Sequence, residues 1–277
     1  MSSERREDPI TFVEIRGTEG RGPIFRHGSW PILLSLTRQG IANYYGNSLL
    51  RLGWAVINPL ALVGVYALFF KGFLKVDSGE IPYIAFVVTG IVPWRFVSVC
   101  IGSTTSLSDA SHMMSKVYFP KELVPLSVVG VALVDLVTGT AVMFVVVLIT
   151  GIPLTYHVVA VPVAYLLLVV FTSVVTILVS TLSVFARDLR HAITYFLIGL
   201  FFATPIMFTE EQIPSWLRWL PEVNPLAVSI DAVRDLVLYG KWFPVPQFAL
   251  HLGVSCLLYL IVVTYVRSVE SRMVDLA

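Results

Sequence analysis

The sequence predicts an all-α polytopic membrane protein of six transmembrane helices, with both termini in the cytoplasm. Three observations carry that expectation. Hydrophobic residues make up 56% of the 277-residue chain and charged residues only 13%, whereas about a quarter of a soluble domain is charged. Six apolar runs have the roughly 20-residue length that crosses a bilayer as a helix. Lys and Arg are divided unequally between the segments that join those runs. The composition (mean hydropathy +0.82) excludes a disordered chain, a collagen-like repeat and a disulfide-rich secreted module. A net charge of +1 leaves no basic footprint for nucleic acid.

Residues 1–28 are polar, mixed in charge and lack the apolar core of a signal peptide, so they are expected to form a cytoplasmic segment. Residues 29–48 are expected to be an amphipathic helix in the cytoplasmic interface. Leu33, Leu36, Gly40 and Tyr44 fall at helical spacing, and Arg38, Gln39 and Asn43 lie elsewhere. A helix packed on soluble protein is the alternative. Residues 49–277 are the transmembrane domain, with spans expected at 52–74, 83–106, 123–150, 158–185, 190–209 and 247–266. An uncharged turn containing Gly151, Pro153 and Tyr156 joins the third and fourth. The fifth follows the fourth after Arg187-Asp188-Leu189-Arg190.

Orientation follows from the positive-inside rule. With the N-terminus inside, the cytoplasmic segments hold Arg5, Arg6, Arg16, Arg21, Arg26, Arg38, Lys116, Lys121, Arg187, Arg190, Arg267 and Arg272. The outer segments hold only Lys71, Lys75, Arg218, Arg234 and Lys241, while Arg51 and Arg95 sit at or within span ends.

Two connecting segments are more than loops. Residues 107–122 carry Met113, Met114, Val117 and Tyr118 as a short apolar stripe, flanked by His112, Lys116 and Lys121. Apolar knobs with a basic edge suit docking to a cytoplasmic partner; an ordinary interfacial loop is the alternative. Residues 210–246 are too long for a bare outer loop. They hold Pro214, Trp216, Trp219, Pro221, Asn224 and Pro225, then an apolar run broken by Asp231, Arg234 and Asp235. Two short helices re-entering the outer leaflet are expected, because irregular backbone at that depth needs protein or a water-filled cavity beside it. Asp231 and Arg234, three residues apart, can pair on one helix face.

Motifs for chemistry are absent. There is no G-x-x-x-x-G-K-[ST] phosphate loop, H-E-x-x-H or G-x-S-x-G. The five histidines are scattered, and Cys100 and Cys256 lie in apolar runs without a C-x-x-C pair, as buried structural thiols do. Ionisable residues inside spans are costly and usually functional; the candidates are Asp135 in the third span and Arg95 near the outer end of the second. Asp135 as a structural partner of Arg95 or of a backbone group is the alternative. Their scarcity argues for a transporter whose energy comes from elsewhere. The many span aromatics, among them Tyr66, Phe70, Trp94 and Phe202, suit lipid contact and interfacial belts. Alternatively they suit a path on which aromatic faces stack against the C–H faces of sugars.

Several motifs resemble one family. Ser48-x-Leu50 followed by Trp54-Ala55-Val56-Ile57-Asn58-Pro59 is similar to its entry to the first span. Pro82-Tyr83 with Gly90-Ile91-Val92-Pro93-Trp94 is similar to its second-span signature. Lys116-Val117-Tyr118-Phe119-Pro120-Lys121-Glu122 resembles the segment after its coupling helix. Arg187-Asp188 resembles the pair ending its fourth span, and Pro205-Ile206, Asn224-Pro225 and Arg234 its outer gate. From about Leu33 to the C-terminus the chain thus resembles the membrane subunit of an ABC-2 type exporter, of the polysaccharide branch that exports O-antigen, teichoic acid and mycobacterial-type galactan. Arg51 stands where the family usually has Gly, and Lys121 where it usually has Arg.

The resemblance implies a homodimeric permease bound to two copies of a separate cytoplasmic ATPase, which would hold ATP and Mg; this chain would need no cofactor and would not be an enzyme. Arg38 on the 29–46 helix, and His112, Met113, Met114, Lys116, Val117 and Tyr118, would meet that ATPase. Trp216, Trp219, Asn224, Pro225, Asp231 and Arg234 would gate the outer mouth. Tyr66, Phe70, Trp94, Arg95, Asp135 and Phe202 are the candidates for a path between two protomers, taken by a polyprenyl-diphosphate-linked glycan. The rivals are an ABC-2 exporter of a drug or small lipid, an intramembrane lipid-modifying enzyme and a stand-alone channel. An enzyme would need clustered carboxylates or histidines at one membrane face, and only scattered acids such as Glu210, Glu211 and Glu222 are present.

Overall fold

The computed structural model describes residues 29–46, 81–103, 120–186, 188–209 and 212–276, together with Gly53, Ile57, Leu60, Ala61, Gly64, Val65, Leu68 and Leu107 singly. Among these residues the regular structure is helical, without strands. Helix α1 is Ser29–Gly46, α2 Tyr83–Gly102, α3 Leu123–Ile149, α4 Val161–Phe185 and α5 Leu189–Ala203. Two short helices, α6 (Trp219–Val223) and α7 (Pro225–Val237), precede the long α8, Val245–Leu276. Single turns of 3₁₀ helix at Tyr156–Ala160 and Ser215–Leu217 complete the order.

Four helical segments are long and apolar enough to cross a membrane: Tyr83–Gly102, Leu123–Ile149, Tyr156–Phe185 and Val245–Glu270. They coincide with the second, third, fourth and sixth expected spans. The segment expected as the fifth forms the 15-residue α5, about 22 Å of helix against a hydrocarbon core of about 30 Å; from Thr204 the backbone turns and bends. The expected first span falls largely outside the described residues.

The helices run alternately between two ends. One end carries the α3–α4 turn, the start of α2, the end of α5, and α6 and α7. The other carries Pro120–Glu122, the end of α4 and the end of α8. Helix α3 stops at the first end because Gly151 adopts φ +85°, the left-handed conformation that closes a helix at little cost only for glycine. Pro162 within the first turn of α4 restarts the helix, where a missing N–H does no harm.

The core lies where α2, α3, α4 and α7 meet. Phe86, Val92 and Phe96 of α2 pack with Leu136 and Met143 of α3, Leu167 and Leu168 of α4, and Leu226 and Leu236 of α7. A separate cluster, Val174 and Ile177 against Val262, Val263 and Val266, joins α4 to α8. Small residues set the closest approach of α1 to α3: a Cβ at Gly40 would stand 2.6 Å from Val131, and one at Gly130 2.7 Å from Thr37. Small side chains let helices meet this way where no water drives association. Leu33, Leu36 and Gly40 lie on the half-buried face, while Tyr44, expected with them, is exposed beside Trp30 and Leu34.

Candidate functional site

The densest polar network lies beneath the two short helices. Asn224 ends the irregular stretch and starts α7: its Oδ1 accepts the Leu226 N–H at 3.0 Å, a side-chain cap on an otherwise orphaned donor. Pro225, with no N–H to satisfy, takes the first helical position. The Asn224 side-chain amide donates to Thr204 Oγ1 at 3.0 Å, which ties the cap to the end of α5. Ten of the 13 residues of α7 are buried, and Ser229 donates to the Ala164 carbonyl of α4 at 2.8 Å. Two short helices stand where two were expected; α7 rests on protein, whereas α6 is exposed apart from Leu220 and Pro221.

Arg234 is buried at the centre of this network. Its guanidinium donates to the Pro205 carbonyl at 2.7 Å and to the Ile206 carbonyl at 2.8 Å. It also pairs with Asp231 at 3.1 Å, as the three-residue spacing predicts. Its planar face stacks on Phe86 of α2 with 3.8 Å from Cζ to the ring centroid. A rigid fork of donors suits two adjacent carbonyls, and a weakly hydrated cation suits an aromatic face. Tyr83 donates its hydroxyl to the Met207 carbonyl at 3.0 Å. One side chain from α7 and two from α2 thus hold the turn that leaves α5.

Gly90 makes this approach possible. A Cβ there would stand 3.0 Å from the Ile206 carbonyl oxygen and 3.2 Å from an Arg234 nitrogen. Sequence reading placed Tyr83 and Gly90 in one motif, without a link to Arg234. The contacts that join them span more than a hundred residues, and no local pattern announces them.

Arg95 and Asp135 are ion-paired between α2 and α3 at 3.5 Å, with side chains 20% and 5% exposed. Two opposite charges in contact neutralise each other in an apolar bundle, which is the structural partnership raised as the alternative for Asp135. Trp94, next in sequence, faces α5 instead and meets Phe201 edge-on at 5.3 Å; Phe201 meets Phe202 in the same way at 5.4 Å. Phe202 is largely exposed. The described path candidates therefore separate into an ion pair on one side of α2 and an aromatic row on the other. Tyr66 and Phe70 lie outside the described residues.

Trp216 and Trp219 are exposed, and the Trp219 indole donates to the Trp216 carbonyl at 3.0 Å. Exposed Tyr156 and Trp242 flank the buried His157 at the same end, with ring centroids 4.0 and 5.2 Å away. Arg38 is exposed on α1. His112, Met113, Met114, Lys116, Val117 and Tyr118 lie outside the described residues. Among the described residues no group of three or more His, Cys, Asp or Glu could hold a metal ion.

A second charged cluster, at the opposite end, was not foreseen as a site. Glu122, immediately before α3, accepts from Arg267 of α8 on one oxygen, from Nη2 at 2.9 Å and Nε at 3.1 Å. Lys121 is buried beside it and interacts electrostatically with Glu270. Burial pushes the Lys121 ammonium below its usual range, and Glu270 partly opposes that shift. The Pro-Lys-Glu run ahead of the third span was a sequence signal, but its partners lie 145 residues away.

The profile of the ABC-2 type transporter family matches residues 32–238. The O-antigen export system permease protein RfbA of Klebsiella pneumoniae is 32% identical over 212 residues, covering 76% of this chain and 81% of that protein. The protein of the same name from Myxococcus xanthus is 33% identical over 216 residues, covering 77% and 82%.

Proposed function

The chain belongs to the ABC-2 type transporter family, and from that membership we propose that it is the permease subunit of an ATP-driven polysaccharide exporter. Its cargo is a polyprenyl-diphosphate-linked glycan of the O-antigen, galactan or teichoic-acid type, carried across the bacterial inner membrane. The observation that carries this reading is kinship: permeases of O-antigen export systems match over 76% and 77% of the chain. The Arg95–Asp135 pair supports it, since a bundle whose intramembrane charges neutralise each other offers little for ion-coupled transport.

In this reading the chain crosses the membrane six times, with both termini in the cytoplasm and α1 in the interface. Two copies enclose the path, and two copies of a cytoplasmic ATPase supply the energy. ATP binding closes the ATPase dimer. The segment 107–118 carries that motion into the spans, and the path opens between protomers. Helices α6 and α7 stand at the outer mouth, where Arg234 holds α7 against α2 and the turn that follows α5. The chain supplies path and gate rather than chemistry.

The test is purification of tagged chain from its own membrane in mild detergent. Co-purification of a Walker-motif ATPase in one copy per chain, with lipid-linked glycan accumulating inside when the chain is depleted, supports the reading. A chain that purifies alone even after crosslinking overturns it. Replacing Met113, Met114 and Tyr118 together with Asp is expected to separate ATP hydrolysis from export; normal export from that variant overturns the coupling role of 107–118.

A further inference from the structure

The charged cluster opposite the short helices joins elements that are far apart in sequence. Glu122 stands at the start of α3, with its side chain 5% exposed, and its ion-pair partner Arg267 belongs to the last turns of α8. Lys121, Glu122 and Arg267 all act electrostatically on Glu270, so two cations and two anions form one set. One carboxylate oxygen of Glu270 is buried without a hydrogen-bond partner, which leaves its charge to be balanced by the neighbouring cations. Beside the set, Leu107, Val124 and Met273 are buried together, with Ile32 of α1, Val184 of α4 and Val269 of α8 packed on them.

The position of Leu107 gives the cluster its meaning. Leu107 lies five residues after α2 in sequence, and Lys121 and Glu122 stand just before α3. Both flanks of segment 103–120 therefore meet the end of α8, Leu107 in the cluster with Met273 and Glu122 through Arg267. A buried ion pair resists separation because each charge, parted from the other, would stand uncompensated in a poor solvent. Beyond the joint, α8 packs along α4 through Val262, Val263 and Val266. Displacement of the segment then has a route into α8 and α4 that does not pass along the covalent chain of α2 or α3.

We propose that Lys121, Glu122, Arg267 and Glu270 form a positioning joint that makes the end of α8 move with segment 103–120, so that the last helix delivers the stroke of the ATPase to the bundle. The four are positioning residues, and none needs to touch nucleotide or cargo. This inference rests on the exporter reading above.

The test uses the complete permease–ATPase complex in lipid nanodiscs or vesicles, with ATP hydrolysis and glycan export measured on the same preparation. Glu122→Gln and Arg267→Gln are each expected to keep hydrolysis while export per ATP falls about tenfold, inside the usual range of coupling between sites. The exchanged pair Glu122→Arg with Arg267→Glu is expected to recover most of that ratio, a rescue that a merely structural role would not give. Should Arg267→Gln fail to accumulate, Arg267→Lys, which keeps the charge but loses the two-pronged contact, carries the test through the same ratio. Export per ATP at the wild-type value in the single variants overturns the joint. So does a parallel loss of both activities that the exchanged pair does not restore. A wild-type chain that binds no ATPase overturns the exporter reading instead, and the wild-type control separates the two failures.

Discussion

Arg234→Met removes the guanidinium and keeps much of the aliphatic stem. Two buried main-chain acceptors, the carbonyls of Pro205 and Ile206, then lose donors at 2.7 and 2.8 Å. A buried unpaired group costs about 1–3 kcal/mol, and the lost stacking on Phe86 adds up to about 2 kcal/mol when desolvated. These terms belong to one network and do not add in full. Asp231, whose side chain is 36% exposed, is rehydrated and contributes little. The net expectation is a loss of about 3–5 kcal/mol. Arg234→Lys keeps the charge, but a single ammonium does not present a planar fork to both carbonyls, so about half that loss is expected. Asp231→Asn should cost no more than about 1 kcal/mol. The assay is reversible unfolding in mixed micelles at rising denaturing-detergent fraction, followed by tryptophan fluorescence, with protease sensitivity of residues 210–224 as a local readout. An Arg234→Met variant within about 0.5 kcal/mol of wild type, the range of an ordinary surface change, with 210–224 equally protected, would refute the clamp.

Three further outcomes follow from the same geometry. Gly90→Ala gains up to about 1 kcal/mol of helix propensity in an open setting; here the new Cβ meets a main-chain oxygen that has no rotamer to escape into, so a net loss of about 1–3 kcal/mol is expected, and it should be non-additive with Arg234→Met in a double-mutant cycle. Asp135→Asn leaves Arg95 unbalanced and should destabilise by about 2–3 kcal/mol, below the cost for a fully buried pair because Arg95 retains some access to solvent; the Arg95→Met, Asp135→Leu double variant should recover most of it in the micelle titration. Asp235 has its carboxyl raised above the ordinary 3.8, chiefly by burial and against the opposing pull of Lys241. The folded state therefore holds that proton more tightly than the unfolded state, and stability from this group is greatest below pH 3.8 and falls as pH rises through the window above it. Asp235→Asn should flatten that part of a pH–stability curve, and an unchanged slope would count against the burial of the carboxyl.

Much of the architecture was legible because it follows from local rules. An apolar run of about 20 residues has few fates other than a spanning helix, and four of the expected spans appear with nearly the expected limits. Asn224-Pro225 announces a helix start wherever it occurs, and the three-residue spacing of Asp231 and Arg234 on one helix already implies their pairing. Other readings are less direct where one pattern serves two structures. The run at 190–209 is apolar after Arg190 and His191, and its helix ends at Ala203. Thr204–Met207 then turns back so that its free carbonyls meet Arg234 and Tyr83. Tyr44 shares helical spacing with Leu36 and Gly40, but α3 passes only the nearer part of that stripe.

The sequence by itself determined that this chain lives in a bilayer, where its helices lie, and that it carries no phosphate loop of its own. Those properties depend on composition and on contacts within a few residues. Only the tertiary structure decided the partners of its charges. Arg95 meets Asp135, Arg234 grips the carbonyls beyond α5, and Glu122 meets Arg267 across 145 residues. The physical reason is shared by all three: an apolar interior makes each buried charge demand a partner, while the packing of distant helices alone selects which partner is near enough to answer.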